Sequence, residues 1–205
     1  MLIQNLCLGM VATNCYILQN EDTKEVLIID PADNAAAIES RVSKLDGKPV
    51  AILLTHGHFD HILACEEVSK KYNIPVIAYS EEKELLADPM LNHSAMHTKP
   101  CSLKADIWVN DNDEPKVSGF KFRVLHTPGH TKGSCCYYFY MNNVLISGDT
   151  LFFRSCGRTD FATSSPKAMK ESLKRLMELP DETYVYPGHE IPTTIGDEKR
   201  SNPFV

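Results

Sequence analysis

Apolar positions along this chain fall in short bursts separated by polar turns, a spacing that predicts many strands with helices between them. Strand-like runs at 1–8, 14–19 and 25–29 come first. A helical stretch then runs from Asp33 to Leu45, with Asp33 or Asn34 as its N-cap. Val50-Ala51-Ile52-Leu53-Leu54 is apolar without alternation, the pattern of a strand buried on both faces. A helix from Asp60 to Tyr72, a short strand Val76-Ile77-Ala78 and a helix from Ser80 to Ala87 follow. The second half repeats the logic with strands at 120–125, 134–140 and 143–147, a helix from Ser165 to Leu176 and a strand at 183–186. No linker, low-complexity segment or long-period repeat interrupts this order. Two β-rich halves with intervening helices predict a sheet-on-sheet core flanked by helices.

Composition narrows the class. With 205 residues, 43% of them hydrophobic, the chain can bury a full core, and one domain over 1–205 is expected. A net charge of −6 argues against a general polyanion-binding surface, so nucleic acid is not an expected partner. Met1-Leu2-Ile3-Gln4-Asn5-Leu6 lacks a basic leader pattern, and no apolar run approaches the ~20 residues of a membrane span. A cytoplasmic location without membrane contact is the expectation. The seven cysteines are odd in number and contain no C-x-x-C pair, which favours reduced thiols. Cys15, Cys65, Cys135 and Cys136 sit in apolar patterns and read as buried hydrophobes. Cys156 lies between Arg154 and Arg158, a setting that predicts a lowered thiol pKa.

The chemistry concentrates directly after the apolar strand. Thr55-His56-Gly57-His58-Phe59-Asp60-His61 packs three imidazoles and a carboxylate into seven residues. In an extended segment His56, His58 and Asp60 point one way and His61 another, so one segment can serve two metal sites. Further apolar runs end in the same manner: one in His126-Thr127-Pro128-Gly129-His130-Thr131, one in Gly148-Asp149-Thr150, one in Pro187-Gly188-His189-Glu190. Neutral imidazole suits zinc or iron and carboxylate can bridge, so His56, His58, His130, Asp149, Asp60, His61 and His189 suffice for two adjacent metals.

These motifs, together with Thr13-Asn14-Cys15-Tyr16, Ser147-Gly148-Asp149-Thr150-Leu151-Phe152 and Gly157-Arg158-Thr159-Asp160-Phe161, span nearly the whole chain. In this order they resemble the metallo-β-lactamase superfamily, and within it the short, single-domain glyoxalase-II-like hydrolases. The resemblance implies an α/β fold of the αββα sandwich type, with two mixed β-sheets packed face to face, flanking helices and metals at one edge. It implies that His56, His58 and His130 hold a first metal, that Asp60, His61 and His189 hold a second, and that Asp149 bridges them. The cofactor expected is a pair of divalent ions, zinc first, with iron or manganese as alternatives. Such a pair lowers the pKa of a shared water and polarises a carbonyl, so no Ser or Cys nucleophile is needed. Asp60 and Asp149 are then the catalytic carboxylates, and Asp60 also orients the attacking oxygen. The expected reaction is cleavage of an ester-like bond in a small acyl-thiol, with a thioester preferred because a thiolate leaves without prior protonation.

Recognition of the substrate departs from the family pattern. Longer glyoxalase II enzymes carry a C-terminal helical domain that helps grip glutathione, and this sequence shows none after His189. Where those enzymes place a Lys and, two residues later, a Tyr, this chain has Arg158 and Asp160. Arg158 can pair a substrate carboxylate, while Asp160 either contributes to the pocket or holds Arg158 in place. His93 and His97 fall in the irregular segment from Asp88 to Cys101 and read as loop residues, and His126 reads as an exposed or supporting residue. A second reading is an iron persulfide dioxygenase of the same superfamily, using His56, His130 and Asp149 alone. The two-zinc β-lactamases usually place Cys where Asp149 stands. Lactonase, nuclease and non-catalytic binding readings are weaker.

Overall fold

The structure, a computed structural model, describes residues 1–205. The chain opens with β1 (Leu2–Leu8), β2 (Thr13–Gln19), β3 (Glu25–Ile29), α1 (Ala35–Lys44) and β4 (Lys48–Leu53). Next come α2 (Phe59–Ile62), α3 (Cys65–Tyr72), β5 (Val76–Tyr79), α4 (Lys83–Ala87), α5 (Ser94–His97) and β6 (Ile107–Val109). These strands form one mixed sheet in the order β1-β2-β3-β4-β5-β6, antiparallel through β3 and parallel from β3 onward.

The second half supplies β7 (Arg123–His126), β8 (Cys135–Phe139), β9 (Val144–Gly148), the hairpin β10 (Leu151–Phe152) and β11 (Ser155–Cys156), then α6 (Pro166–Leu176). It closes with β12 (Tyr184–Pro187), β13 (Thr193–Thr194) and α7 (Ile195–Ser201). Its sheet runs β13-β12-β9-β8-β7, with β12 and β9 parallel.

Alternation along the strands sorts the core into layers. Tyr16, Leu18, Leu27, Ile29 and Leu53 face Phe122, Val124, Tyr137, Phe139 and Ile146 across the interior between the sheets. The outer face of the first sheet, through Cys15, Ile17, Ile28 and Ile52, packs on Ile38 and Val42 of α1 and Val68 of α3. The outer face of the second, through Cys136, Tyr138, Leu145 and Val185, packs on Met169, Leu173 and Leu176 of α6. The architecture is the expected αββα sandwich. Cys15, Cys65, Cys135 and Cys136 are buried in it as small hydrophobes.

Caps follow local chemistry. Asn34 sits in the left-handed region and accepts from the Ala37 amide, and Ser165 accepts from the Ala168 amide ahead of Pro166. The helix expected from Asp60 to Tyr72 is broken. The amide of Ala64 donates instead to the carbonyl of Pro31, at 3.0 Å, and so separates α2 from α3. No helix of the structure is long and apolar enough to cross a membrane.

Candidate metal centre

Four segments meet at one edge of the sandwich because each leaves the C-terminal end of its strand there. His56 and His58 follow β4, His130 follows β7, Asp149 follows β9 and His189 follows β12. The side chains form three overlapping groups: His56, His58, His130; then His56, His61, Asp149; then Asp60, His61, His189. Within each group the ligand-type atoms lie no more than 4.8 Å apart. His58 Nδ1 stands 2.9 Å from His130 Nε2, and Asp149 Oδ2 stands 3.4 Å from His130 Nε2 and 3.5 Å from His189 Nε2. Asp60 Oδ2 is 3.3 Å from His189 Nε2 and 3.5 Å from His61 Nε2. Asp149 thus touches both ends of the constellation. The expectation that Asp60 shares a side with His56 and His58 fails, because the chain turns helical at Phe59 and swings Asp60 beside His61.

A ring of supporting hydrogen bonds sets the tautomers. His61 Nδ1 donates to Asp30 Oδ2 at 3.0 Å, and Asp30 also accepts from the amide and hydroxyl of Thr55. With its hydroxyl proton given to Asp30, Thr55 Oγ accepts from His56 Nδ1 at 3.2 Å. His130 Nδ1 donates to the carbonyl of Arg158 at 2.9 Å. His56 and His130 therefore turn an unprotonated Nε2 inward, and the bond to Asp30 points His61 Nε2 the same way, the arrangement that orients metal-binding histidines.

Whether a cation fits is decided by what these inward atoms lack. His56 Nε2, His61 Nε2 and Asp149 Oδ1 are buried without any hydrogen-bond partner. Buried polar atoms are rarely left unpaired, so a convergent set of them is a demand for a shared cation. Electrostatics agree. Burial drives His56 and His58 well below the usual imidazole range, which leaves them neutral. Burial opposes charge on His61 as well, yet Asp60, Asp149 and Asp30 carry its pKa up to about 9. Burial likewise raises Asp149, but the facing imidazoles outweigh it and bring the carboxyl down to about 2. Without a cation, His61 and His189 supply the positive charge that the two carboxylates require.

Backbone packing leaves no slack. A Cβ on Gly188 would collide with Asp149 Oδ1 and lie 2.8 Å from His61 Cε1, so only glycine lets the turn before His189 approach so closely. The opening motif has its own role here: Thr13 Oγ donates to Asp60 Oδ2 at 2.9 Å, while Asn14 Nδ2 and the Tyr16 hydroxyl both donate to the Pro187 carbonyl.

Glu82 is not legible in the sequence as a site residue, since it lies in a polar run with no motif around it. It is 1% exposed. Its carboxylate accepts from the Gly57 amide at 2.7 Å, the Thr131 hydroxyl at 2.7 Å and the Gly133 amide at 2.8 Å, tying the loop after β4 to the loop after β7. Burial pushes its pKa up to about 7 against the pull of those donors. Because the folded pKa lies above the unfolded value, the associated stability is complete below the ordinary carboxylate range and is lost as pH rises through about 7. Glu82→Ala leaves three buried donors unpaired and should cost about 3 kcal/mol or more. Urea unfolding of both proteins should show a larger penalty at pH 5 than at pH 8; an equal or smaller penalty at pH 5 would contradict this account.

The remaining candidates separate clearly. Arg158 and Asp160 lie beside the site but are mostly exposed, and they pair with each other through two bonds of 2.9 and 2.8 Å. Arg158 also stacks over Phe161, 4.6 Å from its centroid, and the Phe161 ring walls the first group at 5.0 Å from His58. His126 stacks on Tyr79 and His97 on Phe59, outside the metal-type groups. His93, expected to be an ordinary loop residue, instead lies against His58, with ring centroids 5.2 Å apart. Cys156 also departs from expectation: burial raises its thiol pKa, while Arg158 is engaged by Asp160 and Arg154 lies over Phe153.

Comparison with known proteins agrees with this geometry. The family described as "Metallo-beta-lactamase superfamily" matches residues 8–189. Hydroxyacylglutathione hydrolase GloC of Haemophilus influenzae is 34% identical, over 94% of this chain and 92% of its own length. A solved structure described as the BLEG-1 B3 metallo-beta-lactamase is 40% identical, with a TM-score of 0.94 over 99% of both chains. TTHA1623 in a di-iron-bound form is 33% identical, with a TM-score of 0.88 over 98% of this chain and 100% of that one. With a matched profile over most of its length and a site built from the motifs that carry the resemblance, the chain belongs to the metallo-β-lactamase superfamily.

Proposed function

We propose that this chain is a thioester hydrolase that works through two divalent ions. That it is a metal-dependent hydrolase of the superfamily with a His-rich site rests on the family match and the convergent donor groups. The observation that carries the proposal is Asp149, whose carboxylate faces His130 and His189 on one oxygen and His61 on the other. His56, His58 and His130 would hold one ion, Asp60, His61 and His189 the other, with Asp149 shared. When bound, such ions supply an acidified water and polarise the scissile carbonyl. The similarity to TTHA1623 in its di-iron form leaves iron beside zinc as the metal to test.

The protein's own share follows from its contacts. Asp60 has Oδ2 engaged by Thr13 while its other oxygen has no protein partner, so it can orient the attacking water and take its proton. The water oxygen bonds the carbonyl carbon, the carbon–sulfur bond breaks, and the electron pair leaves on sulfur. Because a thiolate is a stable leaving group, the chain needs no acid beside it. Arg158 is the anchor for a carboxylate on the thiol carrier, displacing Asp160 from a pair that is already solvent-exposed. The similarity to GloC supports a glutathione-like carrier. A β-lactam ring is the second reading, favoured by the likeness to BLEG-1.

Protein reconstituted separately with zinc, iron and manganese decides between these readings when assayed on a glutathione thioester, a persulfide and a β-lactam, with metal measured on the same samples. Two ions per chain and thioester cleavage are the expected result. One tightly held iron with persulfide oxidation, or β-lactam cleavage without thioester cleavage, would replace the proposal.

A further inference from the structure

The segment from Asp88 to Cys101 is fastened to the metal loop by one buried residue. Asn92 is 0% exposed and every polar group of it is used. Its amide donates to the Asp88 carbonyl, its Nδ2 to the Cys101 carbonyl at 2.9 Å, and its Oδ1 accepts from the Ser94 amide at 2.9 Å. Its own carbonyl accepts from the Phe59 amide at 2.8 Å, at the start of the helix that carries Asp60 and His61. A free surface loop does not require this fixation. Its consequence is the placement of the next residue, His93, which adopts a left-handed backbone at φ 67° and lays its ring against both His58 and Phe161. The centroid distances are 5.2 and 4.8 Å, and the half-buried His93 ring donates to and accepts from no protein group.

His93, Phe161 and Arg158 thus form a continuous rim beside the first metal-type group, running from the deep imidazole of His58 outward to an exposed guanidinium. A thioester with its carbonyl at the metal groups and a carrier carboxylate on Arg158 must lay the middle of its carrier over the touching edges of His93 and Phe161. In a peptide-like carrier that middle is the amide nearest the sulfur.

We infer that His93 is a substrate-binding residue that hydrogen-bonds the amide next to the sulfur of the thiol carrier, with Phe161 packing beside it on the same side. The inference rests on the thioester reading and deepens it by naming what distinguishes one carrier from another. A single neutral hydrogen bond of this kind changes binding by about 3- to 10-fold.

The test uses metal-loaded protein and two substitutions. Asn tolerates the left-handed backbone but is too short to reach, whereas Gln places an amide near the position of the ring nitrogen. One acyl group is presented on glutathione, on N-acetylcysteamine and on butanethiol, and S-methylglutathione, which cannot be cleaved, is titrated calorimetrically. His93→Asn should raise KM about 3- to 10-fold for the two amide-bearing carriers, leave the butanethiol ester within about 2-fold, and weaken S-methylglutathione by the same factor at unchanged metal content. His93→Gln should recover most of each loss. Equal losses on all three esters, or unaltered S-methylglutathione binding in His93→Asn, would overturn the assignment. Should the native protein cleave no thioester, the reaction reading falls, and binding still decides His93: weakening by His93→Asn upholds its role, and binding that is unmoved or absent refutes it.

Discussion

Asp149→Ala should abolish metal retention and activity together. Asp149 is buried, one of its oxygens has no hydrogen-bond partner, and its carboxylate lies within 3.5 Å of ring nitrogens from both ends of the site. Loss of a supporting partner behind a ligand typically costs 10- to 100-fold in metal affinity or activity, so removal of a shared ligand should cost at least about 100-fold. Elemental analysis beside a thioester assay would show both losses in one preparation. Glu171→Ala, a change at a mostly exposed ion pair with Lys174, should alter neither. If Asp149→Ala kept two ions per chain, the shared-ligand role would be wrong, whatever happened to the rate.

Asp30→Ala should have the next largest effect although Asp30 belongs to none of the metal-type groups. It is 2% exposed and accepts three hydrogen bonds, from His61 Nδ1, the Thr55 amide and the Thr55 hydroxyl. Through Thr55 it also sets the ring of His56, so one carboxylate orients a histidine on each side of the site. Its removal should weaken metal binding about 10- to 100-fold. The stranded Thr55 amide should cost about 1–3 kcal/mol of stability even without metal. Competition with a chelator measures the first effect and thermal unfolding of metal-free protein the second. A stability loss with unchanged metal affinity would mean that Asp30 braces the strand end alone.

Residue order alone reveals much of this site because metal chemistry demands particular residue types. His56, His58, Asp60 and His61 crowd into one run, and the other ligand-type residues each follow an apolar strand and a glycine or a Pro-Gly turn. That format is legible along the chain, as are most strands and the layered architecture, since alternation reports directly on a two-faced sheet. Some short elements escape: β10 and β11 hold two residues each, and α7 contains a glycine, so neither offers a period to read.

Which side chains share a group, and what holds them, is set by contacts between distant parts of the chain. Spacing implies that Asp60 continues the alternation of His56 and His58, but the Pro31 carbonyl, 33 residues from Ala64, and the Asn92 carbonyl, 33 residues from Phe59, reshape the segment around it. Asp30, Glu82 and His93 carry no motif, because their roles depend on partners brought up by strand pairing rather than by neighbours in sequence. A buried carboxylate and a solvated one look alike along a chain. What separates them is the free energy of burial, and that is set where the two sheets and their loops close over the edge of the sandwich.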